Sequence, residues 1–168
     1  MTYKTATSVT DLPHSAIQIT SPSIADGRIQ QVHAKESHGG ENRAPGLTVH
    51  GLPESARFLS IVADDPDALK PAGKVWVHWN AFNIPARGER VDIAPGAQLD
   101  GDLGATSGGG RGWEGMAPPD GEHTYRFAVF ASRDPIQVDL TRPWTIEDFE
   151  RAYGHKTHRK AMIEGRFG

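Results

Sequence analysis

Histidine and tyrosine side chains alternate with other residues along two largely apolar stretches of the sequence. Trp76 and His78 stand two apart in one stretch, and His123 and Tyr125 stand two apart in the other. Because alternate residues of a β-strand point to the same face, each pair is predicted to share one face of its strand. Imidazole and phenol groups can donate hydrogen bonds to an oxyanion, and imidazole can also serve as a general base or a metal ligand.

Two carboxylates lie just beyond a third apolar stretch. Asp65 and Asp67 follow residues 57–63, and Pro66 between them ends the strand pattern. If the three strands are neighbours, the histidines, the tyrosine and the carboxylates converge at the strand ends. Alternation alone equally allows the histidine, tryptophan and tyrosine side chains to be ordinary core residues.

Hydrophobic alternation and turn residues predict several strands followed by a C-terminal helix. Residues 74–84 are apolar on both faces, which predicts a central strand covered on both sides. Thr145 is the predicted N-cap of the helix, with Asp148 at the third helical position. The other predicted elements are strands at residues 16–20, 28–32, 47–50, 57–63 and 123–131, a helical turn at 156–161 and a last strand at 162–167.

The composition favours a single, mostly β domain over residues 1–168. Glycine and proline supply 31 of the 168 residues, about 18% against roughly 12% in average proteins, and helix interiors exclude both. The chain has no cysteine, so disulfides, thiolate metal sites and a cysteine nucleophile are excluded. The net charge of −3 argues against broad, non-specific binding to nucleic acid or to an anionic membrane surface.

A glycine-rich segment covers residues 86–122. Trp113 and Met116 within it indicate an ordered loop, because a solvated linker needs neither side chain. Residues 110–115 match the dinucleotide-binding pattern G-x-G-x-x-G, but no strand precedes them and no helix follows, so we do not expect a dinucleotide site.

Several motifs, in order and at suitable separations, resemble the phosphatidylethanolamine-binding protein family, most closely its bacterial and archaeal Raf-kinase-inhibitor-like branch. The family patterns are G-E-N-x-S-P-P, D-P-D-A-P, W-x-H leading to N-I-P, and G-x-x-P-P-x-G followed by H-x-Y. The matching residues are 40–45, 64–68, 75–79, 83–85 and 117–125.

This resemblance implies a large central antiparallel β-sheet packed by a smaller sheet, with short C-terminal helices. It also implies a small anion pocket at one end of the large sheet, without a metal or cofactor. The usual occupants are phosphate-like groups, such as a phospholipid head group or a phosphorylated side chain, and small anions such as acetate. The residues carried over to this pocket are Asp65, Asp67, Trp76, His78, Gly115, Pro118, Pro119, His123 and Tyr125.

The sequence departs from the family pattern at three positions. Leu69 stands where proline is usual, Ala117 where glycine commonly precedes the two prolines, and Trp113 where tyrosine is frequent. The alanine bears on the shape of the turn at the pocket rim and therefore on ligand size. The family's proline-rich turn often holds a cis peptide bond, so one is expected within residues 114–119.

The leading hypothesis is a non-enzymatic cytoplasmic protein that captures an anionic ligand and modulates a kinase or protease partner, with a homodimer as a further possibility. The apolar stretches are too short to span a membrane, and residues 1–15 hold no secretory signal. One alternative is a small-molecule hydrolase or metal-dependent enzyme that uses His78, His123 and Asp65. The other is a protease or kinase inhibitor that acts through residues 100–115.

Overall fold

The computed structural model describes residues 17–168. Within this range the chain forms eleven strands, two α-helices and four short 3₁₀ segments. The first five strands are β1 (Gln18–Thr20), β2 (Ile24–Ala25), β3 (Arg28–Ile29), β4 (Leu47–His50) and β5 (Phe58–Asp65). The others are β6 (Trp76–Pro85), β7 (Arg90–Ile93), β8 (Asp102–Leu103), β9 (Gly112–Trp113), β10 (His123–Ser132) and β11 (Arg159–Phe167), and the helices are α1 (Leu69–Ala72) and α2 (Ile146–Tyr153).

The strands form a small sheet and a large sheet. The small sheet has the order β1-β4-β7 and the large sheet the order β2-β3-β11-β10-β5-β6-β8, with β9 also paired to β6. Neighbouring strands are antiparallel except β3 and β11, which are parallel. This arrangement confirms the predicted mostly β fold with a large antiparallel sheet and a smaller one.

Two long strands of the large sheet, β5 and β10, are buried on both faces over most of their length. Along β5, Ile61 belongs to the core shared with the small sheet, whereas Val62 belongs to a second core that α2 covers. Along β10, Phe127 and Ala128 divide in the same way. Both faces of these strands are therefore largely apolar, and their charged side chains stand in the last two residues of β5 and the first four of β10.

Two predicted elements need correction. The strand predicted at 74–84 is covered on both faces, but β6 lies beside the short edge strands β8 and β9, and the central position belongs to β5 and β10. The helical turn predicted at 156–161 is wrong, because β11 already begins at Arg159 and pairs residue by residue with β10. That pairing satisfies the backbone hydrogen bonds of a segment whose local sequence alone indicated a helix.

An ion pair buried beneath α2 attaches this helix to the large sheet. Thr145 caps the helix as predicted, with Oγ1 accepting a hydrogen bond from the Asp148 N–H at 3.1 Å. Asp64, fully buried at the end of β5, accepts a hydrogen bond from the Ile146 N–H at 3.0 Å. Arg126 of β10 donates two hydrogen bonds to the same carboxylate, at 2.7 and 2.8 Å.

Residues 1–16 lie outside the described part of the chain, and with them the N-terminal segment used for the expectation about secretion and the first residue of the strand predicted at 16–20. No helix within residues 17–168 is both long and apolar enough to cross a bilayer.

Candidate functional site

The candidate site lies at one edge of the large sheet, where three strands meet. Strand β5 ends at Asp65, and its antiparallel neighbours β6 and β10 begin at Trp76 and His123. An antiparallel strand starts where its neighbour ends, so the polar residues at these positions are brought to the same edge. The convergence predicted from the sequence is confirmed.

The strand ends and the glycine-rich segment enclose a cavity of about 200 Å³. This volume is below the 300–1,000 Å³ typical of drug-sized ligand sites, so the cavity suits a small group. Eight of the nine predicted residues line it. The lining residues are Lys35, Asp65, Ala68, Pro71, Ala72, Trp76, His78, Glu114, Gly115, Ala117, Pro118, Pro119, His123 and Tyr125.

Asp67 is the predicted site residue that does not line the cavity. Its carboxylate accepts a hydrogen bond from the Thr124 N–H at 2.8 Å, and its own N–H donates to Asp65 Oδ1 at 2.9 Å. Asp67 therefore joins the end of β5 to the start of β10. These contacts are structural, and the ligand-binding role carried over from the family pattern stays a prediction for Asp67.

His123 holds two carboxylates, one on each ring nitrogen. Its Nδ1 lies 2.6 Å from Asp65 Oδ2, and its Nε2 lies 2.6 Å from Asp120 Oδ1. An ionised carboxylate can only accept, so the two contacts favour the imidazolium form, in which both ring nitrogens donate. Although burial opposes the charge, hydrogen bonds to Asp65 and Asp120 raise the pKa of His123 above its ordinary value.

Because the pKa of His123 is raised in the folded state, its pairing stabilises the fold most below the unfolded value of 6.5. We expect the free energy of unfolding to fall as the pH rises from there through the raised pKa. In Asp65→Asn this decline should be smaller, since the amide does not favour the charged ring. Urea unfolding measured across this pH range tests the prediction, and identical profiles for both proteins would contradict it.

His78 is buried at 4% exposure and has one ring nitrogen engaged. Its Nδ1 lies 2.7 Å from the Glu114 backbone oxygen, and a carbonyl can only accept, so Nδ1 carries the hydrogen. Burial lowers the pKa of His78 below its ordinary value, which favours the neutral ring near neutral pH. Nε2 of the neutral ring is then a bare acceptor.

Tyr125 supplies a hydroxyl that is uncommitted within the described part of the chain. The residue is 1% exposed and its ring packs edge-on against the His78 ring, with centroids 5.2 Å apart. Burial, together with the negative charges of Asp65, Asp67 and Asp120, raises the pKa of the phenol well above its ordinary value. The hydroxyl therefore stays protonated and can donate a hydrogen bond to an anion.

Glu114 and Lys35 are pocket residues that sequence reasoning missed. Glu114 accepts hydrogen bonds from the Trp76 Nε1–H at 2.7 Å and the Gly108 N–H at 2.8 Å, and Lys35 Nζ lies 3.3 Å from it. Burial opposes the charge of Glu114, but hydrogen bonds from Thr106 and Trp76 and the nearby Lys35 keep its pKa below the usual value. The Trp76 indole thus holds Glu114 and has no hydrogen left for a ligand.

The loop at residues 31–43 supports the rim of the pocket. Asn42 Oδ1 accepts a hydrogen bond from the Gly115 N–H at 2.6 Å, and the Lys35 N–H donates to the Met116 carbonyl at 3.0 Å. His38 Nε2 lies 3.1 Å from the Pro118 carbonyl. These contacts fix the rim on both sides of Ala117. The cis peptide bond expected within residues 114–119 is wrong, because every described peptide bond is trans.

The charged lining residues cancel. Lys35 and the His123 imidazolium are positive, Asp65 and Glu114 are negative, and His78 is neutral near pH 7. An anion therefore finds no general positive field here. Its binding must depend on individual donors that the protein has not already used.

Three other features considered in the sequence analysis are the segment 100–115, the dinucleotide-binding pattern at 110–115 and a metal site. Residues 100–115 are attached to the sheet edge through the pairing of β8 and β9 with β6. A bridge between Ala105 and Arg111 closes the loop on itself, and the tip at 108–111 is exposed. Residues 110–115 lead into no helix, so the dinucleotide pattern lacks its required context. Among residues 17–168, no three His, Asp or Glu side chains are grouped to hold a metal ion.

A family model described as phosphatidylethanolamine-binding protein matches residues 20–168. A protein of the UPF0098 group from Methanothermobacter thermautotrophicus is 40% identical over 129 residues, 74% of this chain and 82% of its own length. YbcL of Escherichia coli, of the same group, is 36% identical over 137 residues, 74% of each chain. A Mycobacterium tuberculosis relative named as a lipoprotein, LppC, is 36% identical over 154 residues, 90% of this chain and 72% of its own.

Solved structures agree with this family match. The crystal structure of a phosphatidylethanolamine-binding protein homologue, CT736 of Chlamydia trachomatis, superposes with a TM-score of 0.77 at 25% identity, covering 92% of this chain and 98% of that one. The crystal structure of E. coli YbcL gives a TM-score of 0.74 at 27% identity, covering 90% of this chain and 97% of that one.

Proposed function

This chain belongs to the phosphatidylethanolamine-binding protein family, and from that premise we propose that it is a non-enzymatic protein whose pocket captures a small oxyanion, foremost a phosphoryl group. The observation that carries the proposal is the pair of uncommitted groups facing one small cavity, His78 Nε2 and the Tyr125 hydroxyl. Both side chains are almost fully buried, so a ligand between them is shielded from water and each hydrogen bond counts for more.

Binding at His78 Nε2 requires one proton, which is either taken up by the ring or brought by the ligand. Nδ1–H of His78 is engaged by the Glu114 carbonyl, so Nε2 can donate only when the ring is an imidazolium. A phosphomonoester offers a second solution, since its second pKa is about 6 and its monoanion carries a hydroxyl that can donate to the bare Nε2. Either way, binding is coupled to one proton and should weaken as the pH rises.

The apolar part of the lining limits what can accompany the anion. Ala68, Pro71, Ala72, Ala117 and Pro118 form walls without charge. A phosphoryl group carrying a short aliphatic or head-group substituent fits this mixture of a polar floor and apolar walls. The phosphoryl group could come from a free metabolite, a lipid head group or a phosphorylated side chain. Competition binding experiments with these three ligands distinguish the sources.

The test is an NMR titration of the ¹⁵N-labelled protein with O-phosphoethanolamine, with ethanolamine as the control that lacks the anion. We expect saturable shifts centred on residues of β6 and β10 next to the cavity, and none with ethanolamine. Tyr125→Phe removes one hydroxyl from the floor and should weaken binding by about three- to tenfold, the effect of one hydrogen bond. Equal shifts with both compounds, or shifts remote from the cavity, would count against the proposal.

We further propose a cytoplasmic location and a kinase or protease partner, modulated through the pocket or through residues 100–115. These rest on family resemblance, and the lipoprotein name of one relative points to a different location for that protein. Self-association into a homodimer is likewise a proposal. Sedimentation velocity tests the homodimer, and fractionation of native host cells tests the location. Neither measurement depends on the pocket.

A further inference from the structure

We infer that Asp120 is an internal ligand of the pocket, which occupies the place of an incoming anion on His123 and thereby selects phosphoryl groups over carboxylates. The inference rests on the proposed anion capture. Asp120 Oδ1 lies 2.6 Å from His123 Nε2, the nitrogen not used by Asp65. In this state the nitrogen cannot donate to a ligand.

The two carboxylates on His123 differ in how firmly they are held. Asp65 is 3% exposed, and both of its oxygens are engaged, one by His123 and the other by the Asp67 N–H. The Asp120 side chain is 44% exposed, and its second oxygen has no hydrogen-bond partner among residues 17–168.

The turn that carries Asp120 borders open space. Gly121 next to it has a φ of +112°, and nothing lies within 4 Å of where its side chain would be. Asp120 can leave the ring without opening the core, whereas Asp65 cannot.

Displacement of Asp120 leaves a donor that is still charged. Asp65 remains on Nδ1 and favours the imidazolium, so Nε2–H turns from an internal carboxylate to an external anion. Three side chains that line the cavity, His123, His78 and Tyr125, then each have a ring nitrogen or hydroxyl to offer a ligand. Asp120 itself moves toward solvent, where its charge is screened.

This competition discriminates between ligand classes. A tethered carboxylate competes like millimolar or higher concentrations of the same group in solution, so a free carboxylate gains little by replacing it. A phosphoryl group brings a third oxygen and up to one more charge, and can engage His78 and Tyr125 as well. The expected ligand is therefore a phosphomonoester, and acetate-like ligands are disfavoured.

The decisive variants are Asp120→Ala and its matched control Glu122→Gln. Glu122 lies two residues further on, and its carboxylate pairs with Arg28 at 2.7 Å rather than with His123. Both variants remove one negative charge from the same turn. Calorimetric titration near pH 6 with sodium acetate and with O-phosphoethanolamine measures the selectivity.

Asp120→Ala should strengthen acetate binding by about tenfold and O-phosphoethanolamine binding by a smaller factor. The preference for O-phosphoethanolamine over acetate should therefore become smaller. Glu122→Gln should change neither by more than about twofold. Unchanged acetate affinity in Asp120→Ala, or equal gains in the two variants, would overturn the inference and leave the proposed function standing. Acetate binding gained by Asp120→Ala while O-phosphoethanolamine binds to neither protein would support the internal ligand and refute the phosphoryl preference.

A ligand-independent measurement keeps the inference falsifiable if neither probe binds. The ¹⁵N chemical shifts of the His123 ring follow its protonation. Asp120→Ala should lower the pKa of His123, and Glu122→Gln should leave it nearly unchanged. Equal pKa values in the wild type and Asp120→Ala would show that the contact does not form in solution, which overturns the inference.

Discussion

Replacing Arg126 by methionine is expected to lower the free energy of unfolding by about 3–5 kcal/mol, because the change leaves a buried carboxylate without its counter-ion. Asp64 is fully buried and receives two hydrogen bonds from the guanidinium. Methionine preserves the straight aliphatic stem, so the loss reports the charge rather than the packing. Chemical denaturation of both proteins at pH 7 measures the difference.

The pH dependence identifies the cause of this loss. Burial already raises the pKa of Asp64 with Arg126 present, and removing the guanidinium must raise it further. An acid with a raised folded-state pKa is destabilising when ionised, so the defect of Arg126→Met should shrink as the pH falls toward the unfolded value of 3.8.

A matched control separates the buried pair from surface ion pairs. Arg90 pairs with Asp92 at 3.0 Å on an exposed strand, and Arg90→Met should leave stability unchanged within the measurement. A similar, pH-independent loss in both variants would contradict the assignment of Asp64 as a buried charge that ties α2 to the sheet.

Changing His78 to asparagine is expected to weaken phosphoryl binding by about tenfold or more at pH 5.5, the effect of one charge-assisted hydrogen bond. The asparagine amide can still donate to the Glu114 carbonyl in place of Nδ1–H, so the local structure is retained. What is lost is the group at the position of Nε2. Calorimetric titration with O-phosphoethanolamine measures the effect.

His78→Gln supplies the complementary control, since its amide places a permanent donor near the position of Nε2. Binding to this variant should lack the pH dependence that protonation of His78 gives to the wild type. With the wild type, affinity should fall once the pH exceeds both the lowered pKa of His78 and the second pKa of the phosphate ester, because neither the ring nor the ligand then carries the shared proton.

A sulfate monoester such as O-sulfoethanolamine sharpens this experiment, because it has no hydroxyl proton to donate. Its binding should decline more steeply with pH than that of the phosphate ester, which can bring a proton of its own. A flat profile for the sulfate ester in the wild type would contradict the role of His78.

Strand periodicity and the family resemblance together pointed to the candidate site, whose residues stand at strand ends. Each of these residues lies near the end of a clearly apolar strand, and antiparallel pairing of the strands brings them together. The residues are Asp65, Trp76, His78, His123 and Tyr125. The two-faced burial of the long strands follows from the same pattern. These are local signals that tertiary contacts reinforce.

The residues that sequence reasoning missed lie in irregular segments. Lys35 reaches the pocket because Ala34 forms a parallel bridge with Met116. The two segments are about 80 residues apart in the sequence, and hydrophobic periodicity does not predict such a contact. Glu114 and Asp120 lie in the glycine-rich segment, where spacing carries no geometric meaning.

Asp67 lies away from the cavity lining for a related reason. It stands two residues after Asp65, but Pro66 opens a short 3₁₀ turn at residues 66–68, and this turn directs its carboxylate to the Thr124 backbone. Alternation cannot be extended past the end of a strand.

The most direct test of anion capture is a crystal structure of the protein soaked with O-phosphoethanolamine near pH 5.5, where His78 is more readily protonated. The account predicts a phosphoryl group in the cavity, with oxygens about 3 Å from His78 Nε2 and the Tyr125 hydroxyl, and with Asp120 turned away from His123. A cavity that holds only water while the ligand is bound elsewhere or not at all would contradict it.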